Sequence, residues 1–174
     1  MKNMQSRFKK GLISGALALA LSSSVFAAAL SNYGENKVVD ALLRGQAIGT
    51  PATWYIALYA DTCTDSGSGT EVSTSGTAYA RQGVTAGLTQ WAGTQSAGST
   101  TASSGTGGTT SNNSTITWST STAAWGNIQS VGWTDAQTAG NRWICIDLTT
   151  PINITGAGAT PSFSAGQLQF QIDN

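Results

Sequence analysis

Arg142-Trp143-Ile144-Cys145-Ile146-Asp147-Leu148 is the stretch that decides the fold. Ile144, Ile146 and Leu148 fall on one side at a spacing of two, and Trp143 and Cys145 fall on the other. A period of two is the signature of a strand with its side chains alternating between two faces. Residues 53–59 repeat the pattern, with Trp54, Ile56 and Leu58 against Tyr55, Ala57 and Tyr59. Both faces of that run are apolar, which predicts a central strand covered on both sides. Residues 167–172 alternate Leu168, Phe170 and Ile172 with glutamines and predict a half-buried strand.

Working outward, residues 115–119 alternate Ile116 and Trp118 with hydroxyl side chains, and residues 127–133 hold Val131 and Trp133 in register. Gly132 is expected to mark a bulge there. Residues 79–85 and 88–91 are further strand candidates. Short strands at this spacing, separated by Gly, Ser and Thr turns, predict a mainly β protein: a single antiparallel β-sandwich, jelly-roll-like. One short N-terminal amphipathic helix precedes it. Asn32 is the expected cap, Glu35 stands three residues on, and Val38, Val39, Leu42 and Leu43 share a helical face before Gly45. That face needs a partner, either the sheet or a neighbouring subunit.

The 174-residue chain carries eight basic and eight acidic residues and no histidine. Four of the basic ones, Lys2, Arg7, Lys9 and Lys10, precede an apolar run over residues 11–29. This is the layout of a secretory signal, and Val25-Phe26-Ala27 suits the small-residue rule at the cleavage point. Residues 1–27 are therefore expected to be a leader, and residues 28–174 a sandwich domain with a flexible Gly/Ser/Thr loop at 93–113. The alternative for the run is a retained membrane or packing helix; after cleavage no stable membrane anchor is left. Cleavage leaves four basic residues against eight carboxylates, a net charge of −4, which argues against a nucleic-acid partner.

An even cysteine count in an exported chain predicts a Cys63–Cys145 disulfide; two unpaired thiols are the alternative. Catalysis is a poor fit, because without histidine the many hydroxyls have no imidazole to activate them. The chain is expected to be non-enzymatic and to need no cofactor. Asp61, Asp65 and Glu71 could serve a Ca²⁺ ion, although Cys63 takes a ligand-like place and Gly67 comes one position late for an EF-hand loop. Solvated turn residues are the plainer reading of the three. Among six tryptophans, Trp91 and Trp125 lie at strand edges and are the candidates for exposure and for stacking on a sugar, against the plainer reading of core aromatics.

Several segments in order resemble a known family. These are residues 36–45 (Asn36-Lys37-Val38-Val39-Asp40-Ala41-Leu42-Leu43-Arg44-Gly45), residues 54–59, Gly69-Thr70-Glu71-Val72, Tyr79-Ala80-Arg81-Gln82, Ala124-Trp125-Gly126, Gly140-Asn141 and Phe163-Ser164-Ala165-Gly166. The series is similar to that of the small bacteriophage virion proteins labelled tail-fibre proteins. The resemblance implies a β-sandwich that assembles in a virion appendage and does no chemistry. It singles out Glu71, Tyr79 and Arg81 as its most recognisable residues, with a structural arginine–carboxylate pair as their plainer role. The partner it implies is a second copy of the chain, in a trimer or a filament. The signal-like leader and the cysteine pair depart from the family pattern and point to export. They keep open a secreted adhesin or lectin-like module that meets a host glycan or receptor.

Overall fold

The structure is a computed structural model that describes residues 17–20, 29–93, 102–104 and 108–172. Most of the expected leader and the middle of the 93–113 stretch lie outside the described residues. The elements are β1 (Leu17–Ala20), β2 (Ala29–Leu30), α1 (Asn32–Leu43), β3 (Thr53–Tyr59), β4 (Gln82–Thr85), β5 (Thr109–Ser111), β6 (Ile116–Thr117), β7 (Gly126–Thr134), β8 (Arg142–Ile154), β9 (Ala159–Phe163) and β10 (Gln169–Gln171). The protein is mainly β, as expected.

An antiparallel five-stranded sheet in the order β2-β8-β7-β3-β4 forms one layer. Facing it are a three-stranded sheet, β1-β9-β6, and a two-stranded sheet, β10-β5. The core between the layers holds Ile56, Leu58, Val131, Trp133, Ile146 and Leu148 from the large sheet. Ile116, Trp118, Phe163 and Leu168 meet them from the other side. These are the alternating positions read from residues 53–59 and 142–148, so periodicity located the sandwich interior.

The other face of the large sheet is covered too, and this is why β3 is apolar on both sides. Two pieces of chain do it. One is the loop from Ala60 to Thr70, tied by Ala60 N–H to the Thr70 carbonyl (2.8 Å) and by the Cys63–Cys145 disulfide. Its closure spans 82 residues of sequence, a loop length for which restricting the unfolded chain contributes roughly 4 kcal/mol. The other is α1, which lies on β8. Ser31, not the expected Asn32, caps the helix: its Oγ accepts from Gly34 N–H and donates to the Arg142 carbonyl. Gly34 is the one buried residue of α1, because a Cβ there would stand 2.5 Å from the Trp143 carbonyl oxygen. The far end of the helix finds no cover, with Leu42 at 76% and Leu43 at 82% exposure.

Gly132 is not a bulge. It pairs regularly with Ala57 and Cys145, and the irregularities of β7 fall at Ile128/Ser130 and Trp133/Thr134. Its missing side chain makes room: a Cβ would lie 2.8 Å from Arg142 Cδ and 3.0 Å from Tyr59 Cε2. Arg142, at 4% exposure, fills that space with its guanidinium 4.7 Å from the Tyr59 ring centre. Its Nη2 donates to the Thr64 (3.2 Å) and Ser68 (2.6 Å) carbonyls.

Two further expectations are corrected. Residues 88–91 form a turn, with Gln90 and Trp91 N–H both directed to the Gly87 carbonyl, and only Trp91 bridges to Asn112. The end of the 93–113 stretch carries regular structure. It closes in β5, which pairs with β10, and the buried Asn112 side chain binds Ser114 O, Ser164 O and Leu168 N–H. The apolar residues around β10 need a paired neighbour to be buried, and Thr109–Ser111 supplies it.

Gly132→Ala is expected to destabilise the fold by about 1–3 kcal/mol through overpacking, while Gly156→Ala, in open space, stays near wild type. Urea denaturation of the two variants checks this; equal midpoints would remove the packing role of Gly132.

Candidate functional site

Glu71, Tyr79 and Arg81 come from a stretch with little regular structure, and β3 gathers them. Glu71 forms a bridge with Tyr59 at the end of β3, and Val72 N–H bonds to the Leu58 carbonyl. Tyr79 follows Ala78, whose φ of 59° turns the chain back, and its hydroxyl accepts from Leu58 N–H at 2.9 Å. That hydroxyl donates in turn to Glu71 Oε1 at 2.9 Å. Arg81 grips the same carboxylate twice, Nε to Oε1 at 2.9 Å and Nη2 to Oε2 at 2.7 Å. Paired, parallel bonds of this kind are the strong form of an ion pair. Its Nη1 reaches across to β7 and the turn beyond, donating to Thr134 Oγ1 (3.1 Å) and to the Ala136 and Ala139 carbonyls (2.7 Å each).

One cation therefore joins three pieces of chain that sequence keeps apart: the segment after β3, the approach to β4, and the turn between β7 and β8. The electrostatics follow from this packing. Burial first, and then the negative charge of Glu71, push the Tyr79 hydroxyl far above the usual phenol range. Burial first, and the Glu71 charge second, also raise Tyr59. The hydrogen bond to Glu71 raises Arg81 above its ordinary value. The tyrosine thus stays a hydroxyl and the arginine stays a cation, which suits the group to holding backbone in place.

The turn that receives Arg81 is built by Asp135. Its carboxylate accepts from the Asn141 backbone (2.7 Å) and side chain (3.0 Å) and from the Trp143 indole (3.1 Å). Burial pushes Asp135 up, but these bonds outweigh it and hold the carboxyl below its ordinary 3.8.

The other sequence candidates are placed as follows. Trp125 is not exposed: it is 5% accessible, meets Tyr79 edge-on at 5.3 Å, and donates its indole N–H to the Thr77 carbonyl. Its position before β7 looked peripheral, yet the 72–79 segment folds over it. Trp91 is half-buried beside Trp133 and lines an open apolar cleft of about 200 Å³ with Trp54, Ile144 and Phe170. Asp61, Asp65 and Glu71 do not gather. Asp61 Oδ2 accepts from Thr70 N–H, Glu71 is held by Arg81, and no group of three metal-ligating side chains occurs among the described residues. Arg142 was missed from sequence. A lone arginine opening an apolar strand, in a chain with so few charges, was the signal that it is buried.

Removing Arg81 as Arg81→Ala leaves a part-buried carboxylate unpaired and is expected to cost about 3 kcal/mol. Arg81→Lys, which cannot grip both oxygens, is expected to restore only part of that. Chemical denaturation measures both, and an alanine variant within about 0.5 kcal/mol of wild type would sink the clamp. Asp135→Asn tests the turn. A carboxyl depressed in the folded state stabilises above its unfolded value and stops doing so as pH falls through the folded one. The gap in melting temperature between wild type and Asp135→Asn should be full near pH 7 and close as pH drops below 3.8; a gap independent of pH would contradict it.

No curated protein matches the sequence. A family model does, over residues 29–171, and it covers every element from β2 to β10, including the clamp. With that span of the chain matched, the protein belongs to the family described as podophage GP4 fiber I protein gp80.

Proposed function

We propose that the chain is a non-enzymatic building block of a phage fibre or an extracellular filament and assembles with further copies of itself. A structural role in a virion fibre follows from the family. The observation that carries the reading is the Glu71–Tyr79–Arg81 group: the residues that the motif resemblance singles out are used in fastening loops to the sheet. Fibre subunits must resist load as folded units, and a cation bound to three chain segments serves that end.

Self-association draws support from the surface. Leu42, Leu43 and Val39 of α1 stand exposed together with Ile48. Contiguous apolar surface on a soluble protein commonly marks a contact site. The low charge of the chain removes most of the repulsion that would keep copies apart. The leader-like N-terminus and the Cys63–Cys145 bridge support passage through an oxidising compartment. The adhesin alternative used exposed Trp91 and Trp125 together with the 93–113 loop, and the burial of Trp125 removes one of those three contacts.

Light scattering on the purified protein, over a range of concentrations, tests the proposal. Multiples of the subunit mass are the expected result. A monomer at every concentration, up to about millimolar, would overturn it.

A further inference from the structure

The two layers of the sandwich do not close on one side. Among the described residues β4 ends the large sheet and pairs only with β3, and β6 ends the facing sheet and pairs only with β9. Between these two edges runs an open groove of about 500 Å³, lined by residues of both strands and by Gln90, Asn112, Ser114 and Thr115.

Register fixes which backbone groups face it. Ala86 N–H bonds to the Ala52 carbonyl, and the same register pairs Trp54 with Val84 and Ile56 with Gln82. Bonded and non-bonded pairs alternate along an antiparallel ladder. Gly83 and Thr85 are therefore the non-bonded positions, and their N–H and C=O groups point away from β3. The same parity holds opposite. Trp118 N–H bonds to the Pro161 carbonyl, so Thr117, paired with Ser162, turns its backbone groups away from β9. Among the described residues the groove thus has unpaired strand edges on both walls.

Natural edges are usually guarded by charge, by proline or by a covering loop. β4 reads Gln-Gly-Val-Thr and β6 reads Ile-Thr, and no charged side chain lines the groove among the described residues. Arg81, next to β4, is turned away into the clamp.

We propose that this groove receives an extended strand from a second copy of the chain, which pairs with β4 at Gly83 and Thr85 while its other edge faces β6. The inference rests on the fibre-subunit reading and names one contact of that assembly. Strand addition draws its affinity from main-chain hydrogen bonds, and the uncharged walls match the Gly-, Ser- and Thr-rich segments of this sequence. Donor and acceptor surfaces differ in such a contact. It is heterologous, the kind that closes into a ring or runs on as a filament.

Proline tests it. At Thr85 or Thr117 the ring removes only an N–H that points outward, and proline is tolerated on an edge strand in that orientation. Thr85→Pro and Thr117→Pro are expected to weaken self-association by about tenfold each, the loss of roughly one well-made hydrogen bond, with monomer melting unchanged. Hydrogen exchange gives a reading that does not depend on the variants folding. The amides of Gly83, Thr85 and Thr117 should exchange fast in dilute monomer and slowly in the assembly. If the wild type assembles while these amides stay fast, the groove inference falls and the fibre-subunit reading stands. If the wild type never assembles, both fall. Slowing of the same amides by a neutral oligosaccharide such as maltoheptaose, but not by assembly, would make the groove a sugar site and overturn the inference.

Discussion

A sheet in which β3 and the start of β8 are apolar on both faces has to be covered twice, and most of this structure answers that requirement. The facing sheets cover one side through Trp118, Phe163 and Leu168. On the other side, among the described residues, a loop and a helix take the place of a further sheet and are held down by individual fastenings. Cys63–Cys145 fixes the loop to β8, and Arg142 reaches through the gap left by Gly132 to hold the carbonyls of Thr64 and Ser68. Ser31 seats α1 on the same strand. One fastening is covalent and two are hydrogen-bonded, and together they let a loop do the work of a packed layer.

The clamp at Arg81 works in the same manner at the sandwich rim. A chain with few charges has few ways to fix its turns, and buried Arg142 and part-buried Arg81 both donate to backbone carbonyls. The carboxylates follow suit: Glu71 holds Arg81, Asp135 holds the Asn141 turn, Asp61 holds Thr70, and Asp147 accepts from Cys63 N–H. Such groups are occupied with keeping shape, and shape is what a fibre component supplies.

The parts of this architecture visible in sequence are those governed by side-chain period. Residues 53–59 became β3 at those bounds, and Ile144, Ile146 and Leu148 marked one face of β8, which runs on to Ile154. Strands held mainly by main-chain pairing gave no such pattern. β9 contains Pro161 among small and hydroxyl residues, and β5 is Thr-Thr-Ser at the end of a stretch that reads as linker. Of the site, the motif series singled out Glu71, Tyr79 and Arg81, but nothing in the spacing told where Arg81 would end. Its partners Thr134, Ala136 and Ala139 lie more than fifty residues on, and two of the three contacts are to carbonyls, which every residue has. Trp125 misled for a related reason, since its burial depends on a segment, 72–79, that carries no strand.

The pairing of β3 has a temporal side. Leu58 lies opposite Val131 in the finished sheet, and a ribosome adding about 5–20 residues per second takes roughly 4–15 s to make the chain between them. During that interval β3, with both faces apolar, has β4 as its available strand partner. The turn between β7 and β8 is short by comparison. The large sheet thus joins two halves whose synthesis is separated by seconds, and they meet at the seam where β3 lies against β7. The disulfide and the Arg81 clamp both cross that seam.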